Sequence, residues 1–344
     1  MSGVGKRTTV VKPAGPVFRA FHDFFLPLIE SDHSNMMVAQ FQRYTGLQSN
    51  GKVTNRFLNI VFRLASTMGE EIFGAMPLLF WYALPLSLPF ATNFVFLILI
   101  GQLIKDFVML PRPVGNCDKW KIVKLDPTFD TEFGMPSSHT MTGYLPVVVV
   151  QSFSRMGFSI PLWAWGICII YLILVGLSRL YLGVHSVYDV IGGAILGLII
   201  ILATDRIDSA FTSTVYTGAS GIYIILVLFL LFVTAYPKPT KAWSASYGTS
   251  AQVFGTWMGV AASIWYIFQF NATIRDALVY VSLVPCDFLY SNPAIGYQPT
   301  TNPEFSTTFV VIGRFLVAAT TAALVKVAAK PIFVKLFTFL IKAG

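Results

Sequence analysis

The chain of 344 residues is 55% apolar and only 12% charged, about half the charged share of an average soluble domain. With a mean hydropathy of +0.67, it has too little polar side-chain surface to cover a water-soluble fold of this size, which argues against that class. Lys and Arg outnumber Asp and Glu by 24 to 16, a net +8, but the cations scatter over loops and segment ends, so the excess speaks for headgroup contact and topology and against nucleic acid.

In chain order, the first 55 residues mix Lys6, Arg7, Lys12 and Arg19 with Phe and Leu around Phe21 to Ile29, and read as a surface or interfacial segment. No basic region, apolar core and cleavage site follow one another there, so no cleaved signal peptide is expected. From Gly69 onward apolar runs recur at about twenty residues, the length that crosses roughly 30 Å of hydrocarbon. They predict spans near 70–88, 91–110, 139–156, 160–178, 188–204, 219–236, 250–270 and 308–326. The expected fold class is an all-α, polytopic membrane helix bundle of about eight transmembrane helices, with a core at 56–206 and additional C-terminal helices at 207–344. Polar loops intervene at Pro111–Met135, Arg179–Ser186, Pro237–Trp243 and Asn271–Phe305, and the tail from Lys330 is too short to span and suits the interface.

Cys117, Cys168 and Cys286 are odd in number and lack metal-ligand spacing, and His22, His33, His139 and His185 form no HExxH pair. No metal and no cofactor are expected. Charged groups at the ends of apolar spans are costly unless used, and three such groups stand out. In Lys105-Asp106-Phe107-Val108-Met109-Leu110-Pro111-Arg112-Pro113, the two prolines stop the helix, so Arg112 should turn along the span's mouth and face the same pocket as Lys105. Pro136-Ser137-Ser138-His139 stands where a loop becomes a span, and the unpaired N–H groups of a helix start favour an anion. The two hydroxyls add donors and His139 adds an acid, while Ser137 and Ser138 also suit plain N-caps. In Ser178-Arg179…His185…Asp189, a helix from His185 places Asp189 one turn on, able to accept from the imidazole Nδ1 and leave Nε2 free to attack.

The order K-x6-RP, PS-x-H, SR-x5-H-x3-D resembles the signature of the type 2 phosphatidic acid phosphatase superfamily, with 22 residues between Pro113 and Pro136 and 38 between His139 and Ser178. Ser138 stands where the commonest pattern has Gly. The resemblance implies that His185 is the nucleophile, forming a phosphohistidine, and that Asp189 orients it. It implies that His139 protonates the departing alkoxide and then activates water. Lys105, Arg112 and Arg179 would clamp the phosphoryl oxygens, with Ser137 and Ser138 as further donors. The stretches KDFVMLPRP, MPSSHTM and SRLYLGVHSVYDVIGG, with Glu70 and Glu71 upstream, are similar to those of sphingosine-1-phosphate and long-chain-base phosphate phosphatases of the endoplasmic reticulum. Glucose-6-phosphatases and dolichyl-diphosphate phosphatases share two of the blocks but usually lack the acid at Asp189.

This resemblance implies a lipid phosphate as substrate, membrane lipids as surroundings, and a site on the lumenal face. Phosphatidate or isoprenoid diphosphates are the alternative substrates. The rival class, a lipid transporter or scramblase, would carry its charges near the bilayer midplane, whereas here they gather at one end. Arg314, inside the last span, should point into the bundle, and the Asn271 sequon lies too close to a span to be used.

Overall fold

The computed structural model describes residues 13, 15–69, 87–113, 120–126, 132–155, 159–237 and 245–270. Ten α-helices are described: α1 (Pro16–Ile29), α2 (Asp32–Tyr44), α3 (Arg56–Met68), α4 (Ser87–Val108), α5 (Ser138–Thr142), α6 (Leu145–Arg155), α7 (Leu162–Tyr181), α8 (Val187–Phe211), α9 (Gly221–Ala235) and α10 (Ala245–Phe270). Among the described residues the only β feature is an isolated bridge between Leu47 and Val53. The chain is an all-α, multi-pass membrane protein. Four described stretches are long and apolar enough to cross a bilayer: Leu88–Val108, Leu162–Tyr181, Val187–Tyr216 and Ala245–Phe270. The expected span at 308–326, Glu70, Glu71, Arg314, the Asn271 sequon and the tail from Lys330 lie outside the described residues, as does nearly all of 70–88.

Several bounds differ from the hydropathy reading; α8, for one, runs on to Phe211 where the span was expected to end at 204. Helix α4 is already helical at Ser87, where the described residues resume, ahead of the expected start at 91. The expected single span at 139–156 is broken after Thr142 into α5 and α6. Pro146 explains the break: in a continuous helix it would leave the Thr142 carbonyl without a donor, and its ring would press against that oxygen.

Burial is distributed as lipid solvation demands. The outward faces of α7, α8 and α9 carry Ile167, Ile170, Ile173, Ile195, Leu202 and Leu230, all at least half exposed, while polar side chains turn inward. The main apolar cluster joins α4, α5, α6, α8, α9 and α10 through Phe94, Met141, Val148, Ile201, Ile225 and Trp257. Inside it, Trp257 Nε1 donates to the Tyr216 hydroxyl at 2.9 Å, and that hydroxyl also bonds Thr92 Oγ1 at 2.9 Å, so α4, the π-helical turn after α8 and α10 are tied by a satisfied buried network.

The helices alternate in direction. Helices α4 and α7 run toward one end of the bundle, where α5 and α8 start back. At the opposite end Arg155 pairs with Asp205 and, at 3.0 Å, with Asp208. Asp189 in the first turn of α8 and Asp205 farther along it are separated along the axis by roughly 24 Å, not far short of a hydrocarbon thickness.

Candidate active site

Helix α4 delivers Lys105 in its last turn and ends at Val108. Met109 follows with φ +54°, its N–H bonded to the Lys105 carbonyl at 2.8 Å, and this left-handed residue turns the chain back across the helix end. Pro111 keeps the helix from resuming. Arg112 is thereby buried in the mouth, where NH1 donates to the Val184 carbonyl at 2.9 Å and Nε to the Glu132 carbonyl at 3.1 Å.

The turn between α7 and α8 is shaped by Gly183, at φ +68°. A Cβ there would lie 2.4 Å from the Val123 carbonyl oxygen. Ser186 then caps α8: its Oγ accepts from the Asp189 N–H at 3.1 Å, and Asp189 Oδ2 accepts from the Ser186 N–H at 2.7 Å. This capping box holds the fully buried Asp189 carboxylate 3.4 Å from His185 Nδ1. Arg112 NH1 lies 3.1 Å from the other ring nitrogen, Nε2. A guanidinium only donates, so Nε2 presents its lone pair and the ring proton belongs on Nδ1, facing Asp189. The sequence reading left Nε2 unengaged. In the structure the guanidinium holds it, because the Met109 turn swings Arg112 back over His185. Burial first, then Arg112, Arg179, Lys105 and His139, hold the His185 pKa well below the ordinary histidine value.

The start of α5 is bonded to the start of α8 through the Ser137 N–H and the Asp189 carbonyl, at 3.0 Å. Gly193 permits this approach, since a Cβ there would meet Ser137 O at 2.6 Å. Ser137 Oγ acts as the N-cap, accepting from the Thr140 N–H at 3.4 Å and the Thr140 hydroxyl at 3.1 Å. Ser138 Oγ accepts from Lys105 Nζ at 3.1 Å, so the side chain that departs from the commonest pattern orients a cation. His139 is buried beside them, and it and Arg179 both act electrostatically on His185. Arg179, fully buried at the end of α7, donates from NH1 to Ser66 Oγ of α3 at 2.6 Å. Lys105, Arg112, Ser137, Ser138, His139, Arg179, His185 and Asp189 thus lie at one end of the bundle around a common polar centre. Among the described residues no three His, Cys, Asp or Glu side chains are grouped to hold a metal ion.

Several contributors were missed in the sequence. Glu132, in the loop before the Pro-Ser motif, places Oε2 3.2 Å from Lys105 Nζ and 3.1 Å from Arg112 NH2. Burial pushes its carboxyl up, but Lys105 and then Arg112 outweigh that and hold its pKa below the usual value. Ser66 supports Arg179 from α3. In α2, Gln42 donates to the Val123 and Tyr181 carbonyls at 2.7 and 2.9 Å and accepts from the Val123 N–H at 2.9 Å, fixing the Gly183 turn from outside. His22, assigned nothing in the sequence, is buried against α4 with Nδ1 donating to the Val108 carbonyl at 2.8 Å. Only Glu132 carried a usable signal, as an acid four residues ahead of Pro136 in a loop between two phosphate-type motifs.

The chain is similar in sequence to known proteins. Residues 86–213 match the PAP2 superfamily. The chain is 27% identical to Sphingosine-1-phosphate phosphatase 2 of Mus musculus over 280 residues, covering 75% of each chain. It is 28% identical to Sphingosine-1-phosphate phosphatase 1 of Mus musculus, over 66% of this chain and 53% of that protein. It is 30% identical to a probable sphingosine-1-phosphate phosphatase of Dictyostelium discoideum, over 61% of this chain and 54% of that protein. The match therefore spans three quarters of the first relative's length and about half of the other two. No solved structure matches the chain.

Proposed function

We propose that this chain, which belongs to the PAP2 superfamily, is a metal-independent lipid phosphate phosphatase that hydrolyses sphingoid-base 1-phosphates through a phosphohistidine. One observation supports this most strongly. A single oxygen, Glu132 Oε2, is held by both Lys105 and Arg112, while the second terminal nitrogen of the same guanidinium rests on His185 Nε2. An oxyanion site adjoining a nucleophilic lone pair is what phosphoryl transfer to an imidazole requires.

The substrate's phosphoryl oxygens draw Lys105 and Arg112 from their present partners, with Arg179 as the third cation. As the guanidinium moves off Nε2, that lone pair attacks phosphorus in line with the departing alkoxide. The P–N bond forms, the P–O bond to the lipid breaks, and His139 gives its proton to the leaving oxygen. The imidazole gains positive charge as it is phosphorylated, and Asp189 offsets that charge at Nδ1. Water then attacks the phosphohistidine, His139 takes its proton, and phosphate leaves. The fixed cations supply the charge stabilisation that a magnesium ion provides in other phosphoryl-transfer sites.

The site lies at one end of the bundle, so a lipid tail can stay between helices while its phosphate enters at the headgroup level. We place this end toward the lumen of the endoplasmic reticulum, as the family resemblance implies. The test is phosphate release by the purified chain in EDTA, with sphingosine 1-phosphate, phosphatidate and an isoprenyl diphosphate at matched surface concentration. Preferential turnover of sphingosine 1-phosphate is expected. Dependence on added magnesium overturns the mechanism, and equal or better turnover of the other lipids overturns the substrate assignment.

A further inference from the structure

We infer that Glu132 is the headgroup-specificity residue of this site: its carboxylate receives an ammonium group carried on the carbon next to the phosphate ester. The inference rests on the phosphatase reading above and names the feature of the substrate that the site selects.

Among the described residues, Asp189 and Glu132 both lie against the phosphate cradle, and they are placed differently. Asp189 is fully buried and locked by the capping box behind His185. Glu132 stands at the mouth, its side chain 12% exposed, with Oε2 shared between Lys105 and Arg112. Its backbone carbonyl also accepts from Arg112 Nε at 3.1 Å, so backbone and side chain are both pinned to one guanidinium and the carboxylate cannot drift from the pocket.

A carboxylate among phosphate-binding cations is costly for an ordinary phosphomonoester. It competes for the same two cations and repels the incoming dianion. A headgroup with its own positive charge reverses this balance. When phosphoryl oxygens take over Lys105 and Arg112, the carboxylate loses two partners, and a substrate ammonium replaces them.

The geometry suits that exchange. Arg112 bridges from His185 Nε2, 3.1 Å from NH1, to Glu132 Oε2, 3.1 Å from NH2, so one guanidinium's width separates the nucleophile from the carboxylate. In a 2-amino-alkyl 1-phosphate the ammonium nitrogen is four bonds from phosphorus, on the order of 5 Å when extended. Phosphorus seated at Nε2 therefore leaves the ammonium within reach of Glu132. N-acylation removes the charge, and a hydroxyl in its place provides none. Such substrates leave the carboxylate facing the phosphate with nothing between them.

The experiment compares sphingosine 1-phosphate with its N-acetyl derivative at equal surface fraction, using the full-length wild type, Glu132→Gln and Glu132→Asp. Wild type should favour the free amine by on the order of ten- to hundredfold in kcat/KM, the range of a charge-assisted hydrogen bond. Glu132→Gln should erase that preference by lowering turnover of the amine while leaving or raising that of the N-acetyl lipid. Glu132→Asp, which keeps the charge, should restore part of it. Equal losses on both lipids in Glu132→Gln would mean that Glu132 only positions Lys105 and Arg112, and would overturn this inference alone. So would a wild type indifferent to N-acetylation. A wild type that releases phosphate from neither lipid overturns the phosphatase reading and this inference with it.

Discussion

Asp189→Asn isolates charge from shape at the proposed nucleophile. In the structure Asp189 Oδ2 has two tasks, accepting the Ser186 N–H at 2.7 Å and facing His185 Nδ1 at 3.4 Å. An asparagine oxygen in the same place keeps both contacts, and only the negative charge is lost. As Nε2 bonds to phosphorus the ring becomes cationic, and unit charges 3.4 Å apart attract by about 5 kcal/mol at an effective dielectric constant near 20. The amide dipole recovers part of this, leaving an expected loss in kcat of about 10²- to 10³-fold. Folding should change little, because the cap is retained and the exchange of a charged for a neutral acceptor costs only about 1 kcal/mol. The assay is phosphate release from sphingosine 1-phosphate in mixed micelles, beside thermal unfolding in the same detergent. A variant within about fivefold of wild type in kcat would refute the view that Asp189 stabilises charge on His185. A variant that fails to fold would refute the retained cap.

Ser66→Ala removes the α3 hydroxyl 2.6 Å from Arg179 NH1; a charged hydrogen bond of about 2 kcal/mol predicts a KM rise of roughly tenfold or more with a smaller change in kcat, and an unchanged KM would contradict that support. Because burial, Arg112, Arg179, Lys105 and His139 all lower the His185 pKa, the ring stays neutral below the usual 6.5, so the acid limb of kcat/KM should lie below that value. Bound phosphate partly cancels the cations, so the acid limb of kcat should lie higher than that of kcat/KM; coincident limbs at 6.5 or above would argue against the burial of this ring. The same shift makes the unfolded chain take up the proton first, so this residue's contribution to stability should fall as pH drops through 6.5. Gly183→Ala forces a left-handed residue and a 2.4 Å approach to Val123 O, predicting destabilisation of about 2 kcal/mol or more by thermal unfolding, and an unaltered midpoint would show that the turn relaxes freely.

Much of the site could be read from order and spacing because its residues sit at span ends, where a charge in an apolar context is conspicuous. Lys105, Arg112, Arg179 and Asp189 each stand out in this way. The helices were readable from apolar run length, but hydropathy alone cannot register that Pro146 denies a donor to the Thr142 carbonyl, so a broken helix pair looked like one span. Glu132 escaped notice because an acid in a polar loop resembles a solvated residue until the fold brings Lys105, 27 positions earlier, against it. Gln42 and His22 lie 81 and 86 residues from Val123 and Val108, and side chains bonding to backbone so far away leave no periodic trace. The N-terminal helices therefore contribute more to the site's scaffold than their mixed composition suggested.

Trapping the covalent intermediate tests the phosphohistidine mechanism most directly. A His139→Ala variant, given a lipid phosphate with a good leaving group that needs no protonation, should form the phosphoenzyme and stall before hydrolysis. In EDTA, a stoichiometric, acid-labile and base-stable phosphoryl group should appear on the peptide carrying His185 and be absent when His185 is also replaced by Ala. Label on a serine, label that persists without His185, or turnover that proceeds only with added magnesium would contradict that mechanism.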